Sequence, residues 1–86
     1  MAYVECIVED GLRPSEVSVG VQDMDGRRIY LRVERDFVQK NHLLPIGIVY
    51  KDFPRKRALI ELPHEADNGD NRLWVSEDQL KESKEN

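Results

Sequence analysis

The sequence predicts an all-β protein, a small antiparallel barrel of five to six strands that ends in a short C-terminal helical turn. Apolar residues alternate with polar or small ones along much of the chain, which is the period of a half-buried strand. Turn signals containing Gly, Pro, Asn or Asp separate these segments. The length of 86 residues suits one small domain. We expect residues 1–80 to form this domain and residues 81–86 to be a frayed polar tail.

The first predicted strand covers residues 2–9, where Val4, Cys6 and Val8 share one side. Cys6 is the only cysteine, so no disulfide can form within the chain. Its place in the alternation predicts a buried, unreactive thiol.

A hairpin is predicted next, because valine occupies every second position of 17–21 and Ile, Leu and Val repeat this pattern over 29–33. A two-residue turn between them would place core residues opposite solvent residues. A three-residue loop at 24–26 instead pairs Val21 with Ile29 and brings all six apolar side chains to one face. The glycine that ends this loop supplies the left-handed conformation that such a turn needs.

A second hairpin is predicted between residues 46–51 and 58–62. Pro54 cannot donate to a central ladder, so we place it in the connection. Connections of three or of five residues give the same register. That register pairs Tyr50 with Ile60 and Ile48 with Leu62.

The remaining chain predicts a polar loop over residues 63–72 and then a last short strand at 73–75. Asn, Gly and Asp at 68–70 give a strong turn signal inside the loop. Ser76 and Gln79 have the spacing of a capping box, which predicts a short helical turn.

This succession of elements resembles the SH3-like small β-barrels at the level of the fold. The resemblance covers roughly residues 16–80 and rests on the strand spacing and on the closing segment 72–80. Barrels of this kind bind peptides, RNA, DNA and other proteins, so the resemblance implies a fold without selecting a partner.

Side chains with catalytic or metal-binding spacing do not stand out, and we therefore expect no enzyme, no metal and no cofactor. His42 and His64 lack zinc-site spacing, and Cys6 has no second cysteine nearby. The acidic loop at 67–71 lacks the alternating oxygen ligands and the distal glutamate of a calcium loop. No small-molecule substrate is evident.

Four apolar side chains fall out of phase with the predicted core. If they meet on the outer face, they form an aromatic and apolar patch of the kind that binds another protein or a second copy of the chain. The alternative is that the tryptophan closes the barrel and buries its own ring. The residues of this predicted protein-binding face are Tyr30, Val49, Leu59 and Trp74.

The net charge of -4 conceals a basic middle segment. Residues 27–57 hold nine basic and three acidic residues, whereas acidic residues dominate both flanks. Arginines interleaved with aromatic residues suit phosphate contacts and base stacking, so the alternative function is binding of RNA or single-stranded DNA. The alternative is that these basic residues form an ordinary solvated surface, balanced by acidic residues on adjoining strands. The candidate contacts are Arg28, Arg32, Arg55, Lys56 and Arg57.

We expect a cytoplasmic protein. The first residues lack the positive region and apolar core of a signal peptide, and no apolar run is long enough to cross a bilayer. A single cysteine also suits a reducing compartment.

Overall fold

The computed structural model describes residues 1–82, and residues 83–86 lie outside it. The described chain is mostly strand, with two 3₁₀ turns at Arg35–Phe37 and Glu77–Gln79. The strands are β1 (Ala2–Glu5), β2 (Ile7–Asp10), β3 (Glu16–Gln22), β4 (Arg28–Glu34), β5 (Leu43–Asp52), β6 (Arg57–Glu61), β7 (Arg72–Ser76) and β8 (Leu80–Glu82).

The predicted all-β antiparallel class is confirmed. The strands form a five-stranded sheet in the order β7-β6-β5-β1-β8 and a three-stranded sheet in the order β2-β3-β4, rather than one closed barrel. Only Cys6 separates β1 from β2, so one stretch of chain contributes to both sheets. β5 pairs with β1 through its first half and with β6 through its second half. The described part contains eight strands because this shared stretch and the C-terminal segment each add one.

The core lies between the two sheets and follows the two-residue period. Alternate residues of β3 and β4 are buried, and those of β6 and β7 meet them from the other sheet. The buried apolar set is Val4, Val17, Val19, Val21, Ile29, Leu31, Val33, Leu44, Ala58, Ile60, Leu62, Ala66, Leu73 and Val75.

The predicted register of the first hairpin is confirmed. Val21 pairs with Ile29, and the backbone N–H of Asp23 donates to the carbonyl of Arg27 at 2.8 Å, which closes a loop of residues 24–26. Gly26 has a φ of 84°, the left-handed conformation that the sequence predicted for it. The carboxylate of Asp23 also accepts bonds inside this turn.

Changing Gly26 to alanine should therefore cost about 1 kcal/mol of unfolding free energy, because a side chain disfavours the left-handed region. Gly47→Ala is the control: its φ is not positive, and a Cβ there would lie 3.9 Å from the Cβ of Glu61. Urea denaturation of both variants tests this. Equal losses at the two positions would contradict the assigned turn.

The predicted register of the second hairpin is wrong. Ile48 pairs with Ile60, and Tyr50 pairs with Leu59, with Val49 as the extra residue of a β-bulge between these two pairs. The connection has four residues, 53–56, and Lys56 takes a left-handed φ of 53°. The bulge moves Tyr50 from the predicted inner face to the outer face.

The predicted C-terminal turn is confirmed as a short 3₁₀ turn. Ser76 and Gln79 form both halves of the capping box. Beyond it, Lys81 and Glu82 were expected in the frayed tail, but they belong to β8, which pairs with β1. Ion pairs join Lys81 to Glu5 and Glu82 to Lys51. The rest of the predicted tail, 83–86, lies outside the described residues.

Neither helical turn within residues 1–82 has the length and apolar character needed to cross a membrane.

Candidate functional site

Three apolar side chains form a row across neighbouring strands on the outer side of the five-stranded sheet. Tyr50 of β5 pairs with Leu59 of β6, which in turn pairs with Trp74 of β7. Directly opposed residues point to the same side of a sheet, so the three side chains share one face. The Tyr50 and Trp74 rings meet edge to face, with centroids 6.3 Å apart. We call these residues, together with Val49, the Trp74 face.

The Trp74 face is partly open to solvent. Tyr50 is 58% exposed and Val49 is 41% exposed, whereas Leu59 and Trp74 are half-buried. The bulge explains the exposure, because the extra residue pushes two consecutive large side chains outward. The exposed side chains of Val49 and Tyr50 therefore lie beside the half-buried Leu59 and Trp74.

An open groove extends this apolar surface from Val49. It has a volume of about 370 Å³, and Met1, Phe37 and Pro45 line it together with Val49. Met1 is 67% exposed and Phe37 is 38% exposed. Gly47 forms part of the groove, where a larger residue would narrow it. The accessible apolar surface thus continues beyond the aromatic pair.

A buried carboxylate holds an arginine across the tryptophan ring. Arg57 lies 4.1 Å from the ring centroid of Trp74, and its Nε donates to Asp52 Oδ2 at 3.0 Å. Arg55 donates to the same oxygen at 3.1 Å. Burial alone raises the pKa of Asp52, but the hydrogen bonds from Arg57 and Arg55 outweigh it and lower this pKa below its ordinary value. The carboxylate therefore stays charged and fixes both guanidinium groups.

Ion pairs flank the apolar row on both sides along the strands. Asp52 and Arg57 lie on one side, and Glu61 with Arg72 lies on the other, where Arg72 Nη2 is 3.3 Å from Glu61 Oε1. Glu61 and Arg72 balance each other in charge, whereas Asp52 shares one negative charge between Arg55 and Arg57. The row is therefore an apolar centre with charged groups on either side.

Tyr30 does not join the other three residues of the predicted face. It lies on β4 in the three-stranded sheet, opposite Gly20 of β3. A Cβ at Gly20 would come within 2.9 Å of Tyr30 Cε1 and within 3.0 Å of the Arg28 stem, so both side chains fold over the glycine. The sequence could not separate the two outer faces, since residues of both are out of phase with the core.

The five predicted nucleic-acid contacts are also divided. Arg28 and Arg32 lie on β4 on either side of Tyr30. The other three lie in or beside the β5–β6 connection, where Arg55 and Arg57 are bound to Asp52. Lys56 is exposed in the same connection. The sequence does not show whether these side chains converge, and the fold places them on two different sheets.

His64 and Cys6, two of the side chains considered for catalysis or metal binding, contact backbone carbonyls. Both ring nitrogens of His64 face backbone carbonyls, Nε2 that of Arg32 at 2.6 Å and Nδ1 that of Glu65 at 2.9 Å. Burial raises the pKa of the Cys6 thiol to about 11, which leaves little thiolate at neutral pH. Among residues 1–82, no group of three or more potential metal ligands comes together.

Tyr50 and Asp52 belong to the site, although the sequence does not predict them there. The predicted pairing of Tyr50 with Ile60 continues the alternation and would place Tyr50 in the core, and nothing in the local sequence marks the bulge. Asp52 is one of the three acidic residues in the basic segment. Its position next to a connection that carries Arg55 and Arg57 was the available signal.

No protein-family model matches the chain, and neither the curated proteins nor the solved structures include a significant match.

Proposed function

We propose that the protein is a non-catalytic interaction module that contacts another protein, or a second copy of itself, through the Trp74 face. One observation carries this proposal: the edge-to-face pair of Tyr50 and Trp74 lies on the outer side of the sheet with Tyr50 58% exposed. An SH3-like fold and a cytoplasmic location belong to the same proposal.

The residue types of the Trp74 face favour a protein partner. Exposed aromatic rings gain free energy when a partner removes them from water, and Tyr, Trp and Arg are the residue types that dominate binding energy at interfaces. Here all three types are adjacent, and Arg57 is already held in place by Asp52. A partner would pay little additional conformational entropy to order these side chains.

Site-specific photo-crosslinking tests the proposal. A photoreactive phenylalanine analogue is placed at Tyr50 and, as the control, at Gln22, which is exposed at the end of β3 in the other sheet. Irradiation of cells that produce each variant should yield discrete protein adducts from position 50 and none from position 22. Adding Trp74→Ala should reduce the adducts from position 50. The absence of adducts from position 50, or equal adducts from both positions, would contradict the proposal.

Binding of RNA or single-stranded DNA is the second candidate, at Arg28, Tyr30 and Arg32. The observation that favours it is the placement of two exposed arginines on either side of a tyrosine, on a strand face with a glycine beneath the ring. Stacking on Tyr30 and phosphate contacts from the arginines would give affinity that falls steeply with salt.

Fluorescence anisotropy with labelled oligouridylate and oligothymidylate at low salt tests this candidate. Arg28→Ala with Arg32→Ala should abolish binding, whereas Arg55→Ala should change it little, because Arg55 lies in the β5–β6 connection of the other sheet. Lack of affinity for either oligonucleotide would remove the candidate.

A further inference from the structure

The outer edge of β2 carries backbone groups that do not pair within the described chain. β2 pairs with β3 on one side only, as the first strand of the order β2-β3-β4. The N–H of Gly11 donates to the carbonyl of Glu16 on the β3 side at 3.3 Å. Antiparallel bonding alternates along a strand, so Ile7 and Glu9 also bond toward β3. The N–H and C=O groups of Val8 and Asp10 therefore point away from the sheet.

The neighbouring ladder explains why this edge is open. The backbone groups of Cys6 point the same way as those of Val8 and Asp10. The N–H of Cys6 donates to the carbonyl of His42 at 3.1 Å, just beyond the pairing of β1 with β5. Asn41 and His42 then have φ values of 67° and 57°, which turn the chain away. The chain that precedes β5 pairs as far as Cys6 and then leaves the sheet. Among the described residues, no strand therefore lies beside the outer edge of β2.

The edges of β4 and β7 are partly covered by loops. On β4, the carbonyls of Tyr30 and Arg32 accept from the Asp67 N–H and from the His64 ring. On β7, the carbonyl of Trp74 accepts from the N–H of Met24 at 2.9 Å. Within residues 1–82, no backbone bond of this kind reaches the outward side of Val8 or Asp10. The Asp10 side chain is 95% exposed, in keeping with an open edge.

We propose that the β2 edge binds an extended basic segment of another protein, which adds as an antiparallel strand beside β2 and places a lysine or arginine opposite Glu9. This site is separate from the Trp74 face. The added strand would exchange backbone hydrogen bonds with Val8 and Asp10, as in other cases of strand addition to a sheet edge. Glu9 lies between these two positions and would face the residue opposite it at the short Cα distance of a non-hydrogen-bonded pair.

Charge selects a basic segment over a second copy. If β2 of one copy paired with β2 of another so that all outward groups were bonded, Glu9 would lie directly opposite Glu9 of the second copy. Like charges in that position destabilise a sheet, whereas opposite charges stabilise it. Glu9 is exposed and forms no ion pair within residues 1–82, so it is available to an incoming cation.

The test is a titration of the ¹⁵N-labelled protein with a blocked seven-residue peptide of alternating threonine and valine around a central lysine. The amides of Val8 and Asp10 should shift most and become protected from hydrogen exchange. Replacing the central lysine by glutamate should weaken binding about fivefold or more, and Glu9→Lys should restore binding of the glutamate peptide. N-methylation of the peptide groups that face β2 should abolish binding.

Two variants serve as controls. Asp10→Pro removes an outward N–H without removing a bond to β3, so it should block the peptide while the protein stays folded. Tyr50→Ser alters the Trp74 face and should leave peptide binding unchanged. The proposal would be overturned if the largest amide chemical-shift changes lay elsewhere, or if the affinity did not depend on the charge at position 9. It would also be overturned if the amide signals of Val8 and Asp10 shifted with protein concentration in the absence of peptide. The last result would identify a second copy as the occupant.

Discussion

Leu31→Ala is expected to lower the free energy of unfolding by roughly 2–5 kcal/mol. Leu31 is fully buried at the centre of β4, where it pairs with Val19 across the first hairpin. Truncation removes apolar contacts and leaves a cavity between the two sheets. Because the free energy of unfolding of small domains is only about 5–15 kcal/mol, this single change should remove a large part of it.

Urea denaturation of the variant measures the effect, and Leu12→Ala is the matched control. Leu12 is 86% exposed in the loop after β2, so its truncation should change the stability by less than about 0.5 kcal/mol. If the two leucine variants lost similar stability, the assignment of β4 to the core would be wrong.

Asp23→Ala should cost roughly 1–3 kcal/mol. The buried carboxylate of Asp23 accepts the backbone N–H groups of Asp25 and Arg27, each at 2.9 Å, and Arg27 Nε at 3.0 Å. Alanine provides none of these acceptors, so the donors in the turn of the first hairpin lose their partner. Asp25→Ala is the control, because this neighbouring carboxylate is exposed.

The loss at Asp23 should depend on pH. Burial alone raises the pKa of Asp23, but hydrogen bonds from Arg27 and Asp25 outweigh it and lower this pKa below the ordinary value of 3.8. The stabilisation is therefore complete above that ordinary value and is lost as the pH falls through the lowered pKa of the folded state. The stability difference between wild type and Asp23→Ala should be largest near neutral pH and shrink in acid. A difference that grows on acidification would show that the carboxylate is not stabilised in its charged form.

The parts of the fold that the sequence predicted are those set by local chemistry. The register of the first hairpin followed from the need to place six apolar residues on one face, together with a glycine at the left-handed position. The capping box of Ser76 and Gln79 depends on four consecutive residues. In both cases the deciding interactions lie close together in the sequence.

The parts that could not be predicted depend on contacts between distant segments. The bulge at Val49 lies within the pairing of β5 with β6, shortly after the segment that pairs with β1, and no residue in β5 marks its position. Lys81 and Glu82 form a strand only because β1 offers a free edge to them. Likewise, the phase of Tyr30 showed that it points outward, but only the sheet order shows that it lies apart from Trp74.

Quenching of tryptophan fluorescence by acrylamide tests most directly whether the Trp74 face is open. Trp74 is the only tryptophan, so the emission reports on this one side chain. In dilute purified protein we expect intermediate quenching, above that of a core indole, and an increase in Tyr50→Ser, which uncovers the edge of the ring. Quenching as weak as that of a fully buried tryptophan, unchanged in Tyr50→Ser and on dilution, would contradict an outward contact surface.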